Sequence, residues 1–153
     1  MLQNVHVLAA VVAIALCLTA CSDPPDDTPL GQDCARIMAR PEVEAPQVKV
    51  QHVLLAFVGA KRGSESKRTY AEARSATVQV LSRARSGDDF AALVKQHSGD
   101  DGDGIFTLTA TNRADFAVNF AAISCRLAVG EVGVAAHHAS KSPFGWHVIK
   151  RLE

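Results

Sequence analysis

The closing stretch of the chain sets the strongest condition on its fold. From Ser142 to Lys150 the sequence reads Ser-Pro-Phe-Gly-Trp-His-Val-Ile-Lys. Pro143 and Gly145 punctuate its start, and β-branched and aromatic residues then alternate with polar ones, as in a strand with one buried face. On that alternation His147 shares a face with Ile149, so an imidazole points where apolar side chains belong. A buried polar ring needs a partner. A second candidate strand, Val48 to Leu55, carries His52 in similar company. Two such strands lying side by side would supply that partner.

Residues 1–20 are expected to be a leader segment rather than part of the folded domain. Val7 to Ala20 is a near-continuous apolar run of 14 residues, short for a membrane span and closed by small residues. Leu18-Thr19-Ala20-Cys21 then resembles the lipobox of bacterial lipoproteins, although no Lys or Arg precedes the apolar run. The resemblance implies cleavage before Cys21 and lipid attachment to it; the alternative is an ordinary secretion signal followed by a chance Cys. With Ser22 next, the lipobox resemblance also implies, for a Gram-negative cell, an envelope protein held on the outer membrane and facing the periplasm. Residues 21–47 hold five of the six prolines and few large apolar side chains. That composition predicts a flexible tether with polyproline character, with room inside it for one helical turn over Cys34 to Met38. Export would leave Cys34 and Cys125 in an oxidising compartment, either bridged to each other or as separate thiols with Cys125 buried.

The folded domain is expected over 48–153. After the first strand, Thr69-Tyr70-Ala71-Glu72 matches a capping box and opens a helix that runs to about Arg85 on a stripe of Ala73, Ala76, Val80, Leu81 and Ala84. Ser86-Gly87 ends it, and Asp88 or Asp89 caps a second helix ending near His97. Gly99 to Gly104 is a tight Gly/Asp loop. It is not a calcium loop of the EF-hand type, because the twelfth position from Asp100 is Thr111 rather than a carboxylate. A short helix over 115–122 follows, then a strand led in by Gly130-Glu131, a loop with His137 and His138, and the closing strand. Adjacent histidines without carboxylates or thiols nearby are poor metal ligands, so that loop reads as solvated. Strands with helices gathered beside them make an α+β domain. Sixteen Lys and Arg balance sixteen Asp and Glu with no long single-sign block, which argues against a nucleic-acid partner.

Six segments in order are similar to the parvulin family of peptidyl-prolyl isomerases. They are Gln51-His52-Val53-Leu54, Ser86 to Leu93, His97-Ser98-Gly99-Asp100, Gly102 to Phe106, Leu127 to Val132, and Phe144-Gly145-Trp146-His147-Val148-Ile149. The resemblance covers 48–153. It implies an FKBP-like fold: a small four-stranded antiparallel sheet with helices packed around it. It places His52 and His147 back to back on adjacent central strands and Asp100 facing the substrate, the three residues expected to carry catalysis. It puts Phe116 and Phe120 on the floor of a proline pocket, with Phe144 beside them. Ser142 falls on a hydroxyl expected to hydrogen-bond into the histidine pair. Lys61 and Arg62 lie in a loop where some members place basic residues that favour an acidic side chain before the proline; read by themselves they are surface charge. The chain departs from the family pattern in a Gly/Asp loop one residue short and lacking its Leu, and in Ala117 and Cys125 at positions usually held by other types. The connection into the closing strand is also longer.

Turning an X-Pro bond means breaking amide resonance, against a barrier of about 18–20 kcal/mol. No covalent bond is made or cut, so the chemistry calls for no metal, cofactor or nucleophile. It calls for tighter binding of the twisted amide than of either planar form. The implied substrates are proline-containing polypeptides during folding. The alternative is the same groove used without turnover, as a holder of extended chains.

Overall fold

The computed structural model describes residues 27–61, 63 and 65–153. Its centre is the pair of strands that carry the two histidines. β1 (Gln47–Leu55) and β4 (Trp146–Arg151) run antiparallel, with His52 opposite Ile149 and Leu54 opposite His147. Residues opposed in an antiparallel pair share a face, so both imidazoles lie on the same side of the sheet. Val53, Leu55, Trp146 and Val148 occupy the other side. β2 (Ile105–Thr109) flanks β1 and β3 (Val132–Ala135) flanks β4, both antiparallel, giving the order β2-β1-β4-β3. β4 departs from the expectation of one buried face. Trp146, His147, Val148 and Ile149 are all buried, because helices cover both sides of the sheet.

The helices follow their sequence signals closely. Between β1 and β2 lie α2 (Tyr70–Arg85), opened by the complete capping box of Thr69 and Glu72, and α3 (Phe90–His97), capped by Asp89. Ala73, Thr77, Val80, Leu81 and Ala84 form the buried stripe of α2. A 3₁₀ turn over Arg113–Asp115 precedes the last helix, Val118–Ser124, which begins three residues and ends two residues later than the sequence suggests. The strand order read from the sequence omitted Ile105–Thr109. That strand is present and completes the four-stranded sheet.

The largest correction lies at the N-terminal side. Within the expected tether, Pro29–Met38 forms a helix, α1, with Thr28 as N-cap and Pro at its start. Its Leu30 and Ile37 are 2 % and 0 % exposed and belong to the main core. A Cβ on Gly133 of β3 would come within 2.4 Å of Ile37 Cδ1, which measures how closely the helix sits on the sheet. Asp33 ties α1 to α2 through Arg85 at 2.9 Å. The segment that follows is strapped down as well: Arg40 pairs with Glu131, the Val43 amide donates to the Cys125 carbonyl, and Glu42 pairs with Arg113 and Arg126. The folded unit therefore starts near Thr28, not at Val48. Cys34 and Cys125 are buried and are not joined to each other. Expectations for residues 1–26, including Cys21, and for Arg62 lie outside the described residues. So does Ser64.

Candidate active site

The histidine face of the sheet opens into a cleft of about 430 Å³. Strand pairing sets its back wall. Because Leu54 rather than His52 stands opposite His147, the imidazoles meet diagonally, with ring centroids 5.3 Å apart and planes 24° from parallel. Their Nδ1 atoms are 3.1 Å apart. One ring must donate and the other accept across that gap, so in a neutral pair the two outer Nε2 atoms become one donor and one acceptor. Asp100 breaks the symmetry. Its Oδ2 lies 3.4 Å from His52 Nε2, too poorly placed for a hydrogen bond but close enough to favour a proton on that nitrogen. This leaves His147 Nε2 as the acceptor. Burial, followed by the neighbouring His52, pushes the His147 pKa from 6.5 down to about 3, against a smaller opposing pull from Asp100. His147 is therefore neutral at physiological pH. Neither Nε2 has a hydrogen-bond partner among the described residues. Buried polar atoms left unpaired are costly, and at the wall of a cleft they mark places for a ligand or water.

Three phenyl rings make the floor. Phe116 ends the 3₁₀ turn and Phe120 follows one helical turn later, which stacks their rings 5.6 Å apart. Phe120, 3 % exposed, sets its edge against both imidazoles at 5.2 and 5.3 Å. The third ring, Phe106, was not read as a site residue from the sequence. It stands opposite Val50, hence on the His52 face, and touches His52 at 5.2 Å and Phe116 at 5.7 Å. The signal was present as the alternation Phe106, Leu108 against Ile105, Thr107, Thr109, and it needed the missed strand to be seen. Phe144 also lines the cleft, with the Lys61 ammonium 5.5 Å from its ring centre.

Asp100 lies in the loop after α3 and is positioned by its chain neighbours. Ser98, just past the end of α3, accepts the amide of Leu54 at 3.1 Å and that of Asp100 at 3.3 Å through one hydroxyl oxygen, and the Gly99 amide donates to the Leu54 carbonyl at 2.7 Å. The shortened Gly/Asp loop closes against β1 in the same way, the His52 amide donating to the Gly104 carbonyl at 2.9 Å. Ser98 is thus a positioning residue that the sequence reading passed over. Ser142 is a correction. It is fully buried, does not line the cleft and does not reach the histidines; its hydroxyl donates to the Gly145 carbonyl at 3.2 Å and closes the turn into β4. The chain reverses at Pro143–Gly145, where Gly145 has φ +139°, and this turns the hydroxyl back on its own loop. His137 is also not solvated. It is half-buried within a ring cluster with Phe57, Tyr70 and Trp146.

A cleft with a phenyl floor, an imidazole pair behind it and a carboxylate at its edge agrees with what the chain matches as a whole. Residues 33–153 match the family of the PPIC-type PPIase domain. The chain belongs to that family. The match begins inside α1, in keeping with an N-terminal helix that is part of the domain. Among solved structures, the peptidyl-prolyl isomerase ESS1 from Candida albicans is similar with a TM-score of 0.56 and 19 % identity, over 74 % of this chain and 66 % of that one. The chain thus spans slightly less than two thirds of that enzyme, and at this identity the likeness is one of fold. The solution structure of TbPIN1 is matched at a TM-score of 0.49 and 22 % identity, over 71 % of this chain and 99 % of that one. No curated protein matches the chain.

Proposed function

We propose that this PPIC-type domain turns X-Pro bonds in polypeptides that fold in the cell envelope, and that it does so in the Phe106–Phe116–Phe120 cleft. The observation that carries the reading is the pairing of an apolar floor with a polar wall at one place. The floor takes the prolyl ring and excludes water. The wall presents Asp100 and the outer nitrogens of His52 and His147 to the amide. As the amide twists, its nitrogen regains a lone pair and its carbonyl loses conjugation. Groups held in place before the reaction favour that state without reorganising. Asp100 acts electrostatically and through the proton on His52. The imidazoles frame the site and transfer no proton.

The test is exchange between cis and trans isomers of an X-Pro peptide, read by NMR. Asp100→Ala and Phe116→Ala should each lower kcat/KM about tenfold or more while the fold is retained. Phe116 is preferred to Phe120, whose near-complete burial makes it a core residue as well. Unchanged exchange in both variants would remove the cleft as the site, and absent exchange in the parent chain would leave a peptide-holding module.

The envelope location rests on the lipobox-like Leu18 to Cys21. Lipidation at Cys21 would leave seven residues, Ser22 to Thr28, before α1. Fully extended, they reach about 25 Å. The domain would work close to the membrane surface, and Cys21→Ser should release it from sedimented membranes.

A further inference from the structure

The cleft has an apolar floor but an acidic rim. Glu65, Asp100, Asp101 and Asp115 line it, and no described Lys or Arg does. Asp100 is engaged with His52. Glu65, Asp101 and Asp115 are exposed and form no ion pair among the described residues. Glu65, Asp100 and Asp101 also border an adjoining groove of about 480 Å³, which Lys67 and Arg68 share with them. Asp115 precedes Phe116 and stands beside that floor. The described cations that border that groove or lie against Phe144 are otherwise placed. Lys61 lies over Phe144, Arg68 donates to the His97 carbonyl at 3.2 Å, and Lys67 borders only the outer groove. An independent sign that a ligand sits here comes from His147, which lines the cleft, is 4 % exposed and has no hydrogen-bond partner for Nε2 among the described residues.

We propose that the rim selects proline flanked by Lys or Arg, with Glu65, Asp101 and Asp115 as the specificity-determining residues. This deepens the isomerase reading and rests on it. Carboxylates around a partly enclosed apolar cleft attract a cation through a lower dielectric than bulk water, and they repel an acidic neighbour of the proline by the same means. The direction is opposite to the preference implied by Lys61 and Arg62. Each exposed pair is worth roughly 1.5- to 5-fold in affinity, so three carboxylates acting together give about tenfold.

The experiment measures kcat/KM of the full-length chain by NMR exchange on Ala-X-Pro-Phe and Ala-Ala-Pro-X, where X is Lys, Ala or Glu. At low ionic strength the Lys peptide of at least one series should exceed its Glu counterpart about tenfold. In 0.5 M salt the ratio should fall to within about twofold, because screening then acts over only a few ångströms. The Glu65→Gln, Asp101→Asn, Asp115→Asn triple variant should lower the low-salt ratio at least about threefold. A Lys-to-Glu ratio of one or less in both series overturns the proposal, as does a ratio that neither salt nor the triple variant changes. If no peptide is turned over, the isomerase reading fails by itself. The ratio of peptide Kd values from chemical-shift titration then decides the charge preference on the same thresholds.

Discussion

An imidazole that is 4 % exposed has to stay neutral, and His147 shows how one side chain can serve both site and stability. Its pKa of about 3 lies below the ordinary 6.5, with burial as the first cause and His52 as the second. Between those values the unfolded chain takes up a proton that the native chain refuses. Stability from this group is therefore complete above pH 6.5 and drains as pH falls towards 3, at up to about 1.4 kcal/mol per pH unit. Glu42, held down to about 2 by hydrogen bonding to Arg113, works in the same direction but only below about pH 4.5. His97 and His137 are also lowered, chiefly by burial, and share the upper window. Comparison of the unsubstituted chain with His147→Gln isolates the one ring. Urea unfolding at pH 7 and at pH 5 gives the stability each protein loses on acidification. The loss should be larger in the unsubstituted chain than in His147→Gln by about 1 kcal/mol or more. Equal losses would mean that His147 is not held neutral.

At the scale of elements, the Gly/Asp loop and β2 fix the geometry of the cleft. Gly104 has φ +69°, and a Cβ there would fall 2.5 Å from the His52 carbonyl oxygen. Gly104→Ala combines a left-handed backbone with a backbone clash, so β2 must move away from β1 and take Phe106 with it. The expected result is a loss of about 2 kcal/mol in stability and a rise in KM, because the Phe106 wall shifts while Asp100 stays anchored by Ser98. A crystal structure or amide exchange at Ile105–Thr109 would check the displacement. The elements that were legible in the sequence have strong local signals: the capping box of α2, the Asp89 cap of α3, and the apolar run of β1. β2 was not legible because five residues between Gly104 and Ala110 carry only two inward side chains, and two positions do not establish an alternation. α1 was obscured by composition. Its Thr28 cap, its Pro29 start and its Leu30, Cys34, Ile37 stripe were all in the sequence, set among prolines and acidic residues that read as tether. Within the site, His52, Asp100, His147, Phe116 and Phe120 come together because strand register and helical spacing place them. Ser142 failed because a residue's place in a turn depends on the path of the backbone, which the sequence motif does not encode.

For the molecule as a whole, the question is where the domain begins, and the answer makes a direct prediction. A polypeptide starting at Pro41 keeps every strand, all the cleft residues and Glu42, so on the sequence reading it should be as stable as the longer chain. The structure says otherwise. Losing α1 uncovers the surface of Gly133, Leu127 and Ile123 against which Ile37 packs, and removes Leu30 and the Asp33–Arg85 pair. Full burial of a Leu or Ile contributes about 1.5–3 kcal/mol, so these two side chains alone account for about 3–6 kcal/mol, before the helix's ordering entropy is subtracted. A domain of this size holds about 5–15 kcal/mol in total. Urea unfolding of polypeptides starting at Asp27 and at Pro41 should therefore show a midpoint markedly lower for the shorter one. Its apolar scar on β3 should also bind a hydrophobic dye that the longer one ignores. Val132 and Val134 would remain covered by α2, so a folded but weakened sheet is expected rather than a collapsed one. Matching midpoints would show that α1 rests on the domain without supporting it, and the domain boundary would return to Val48.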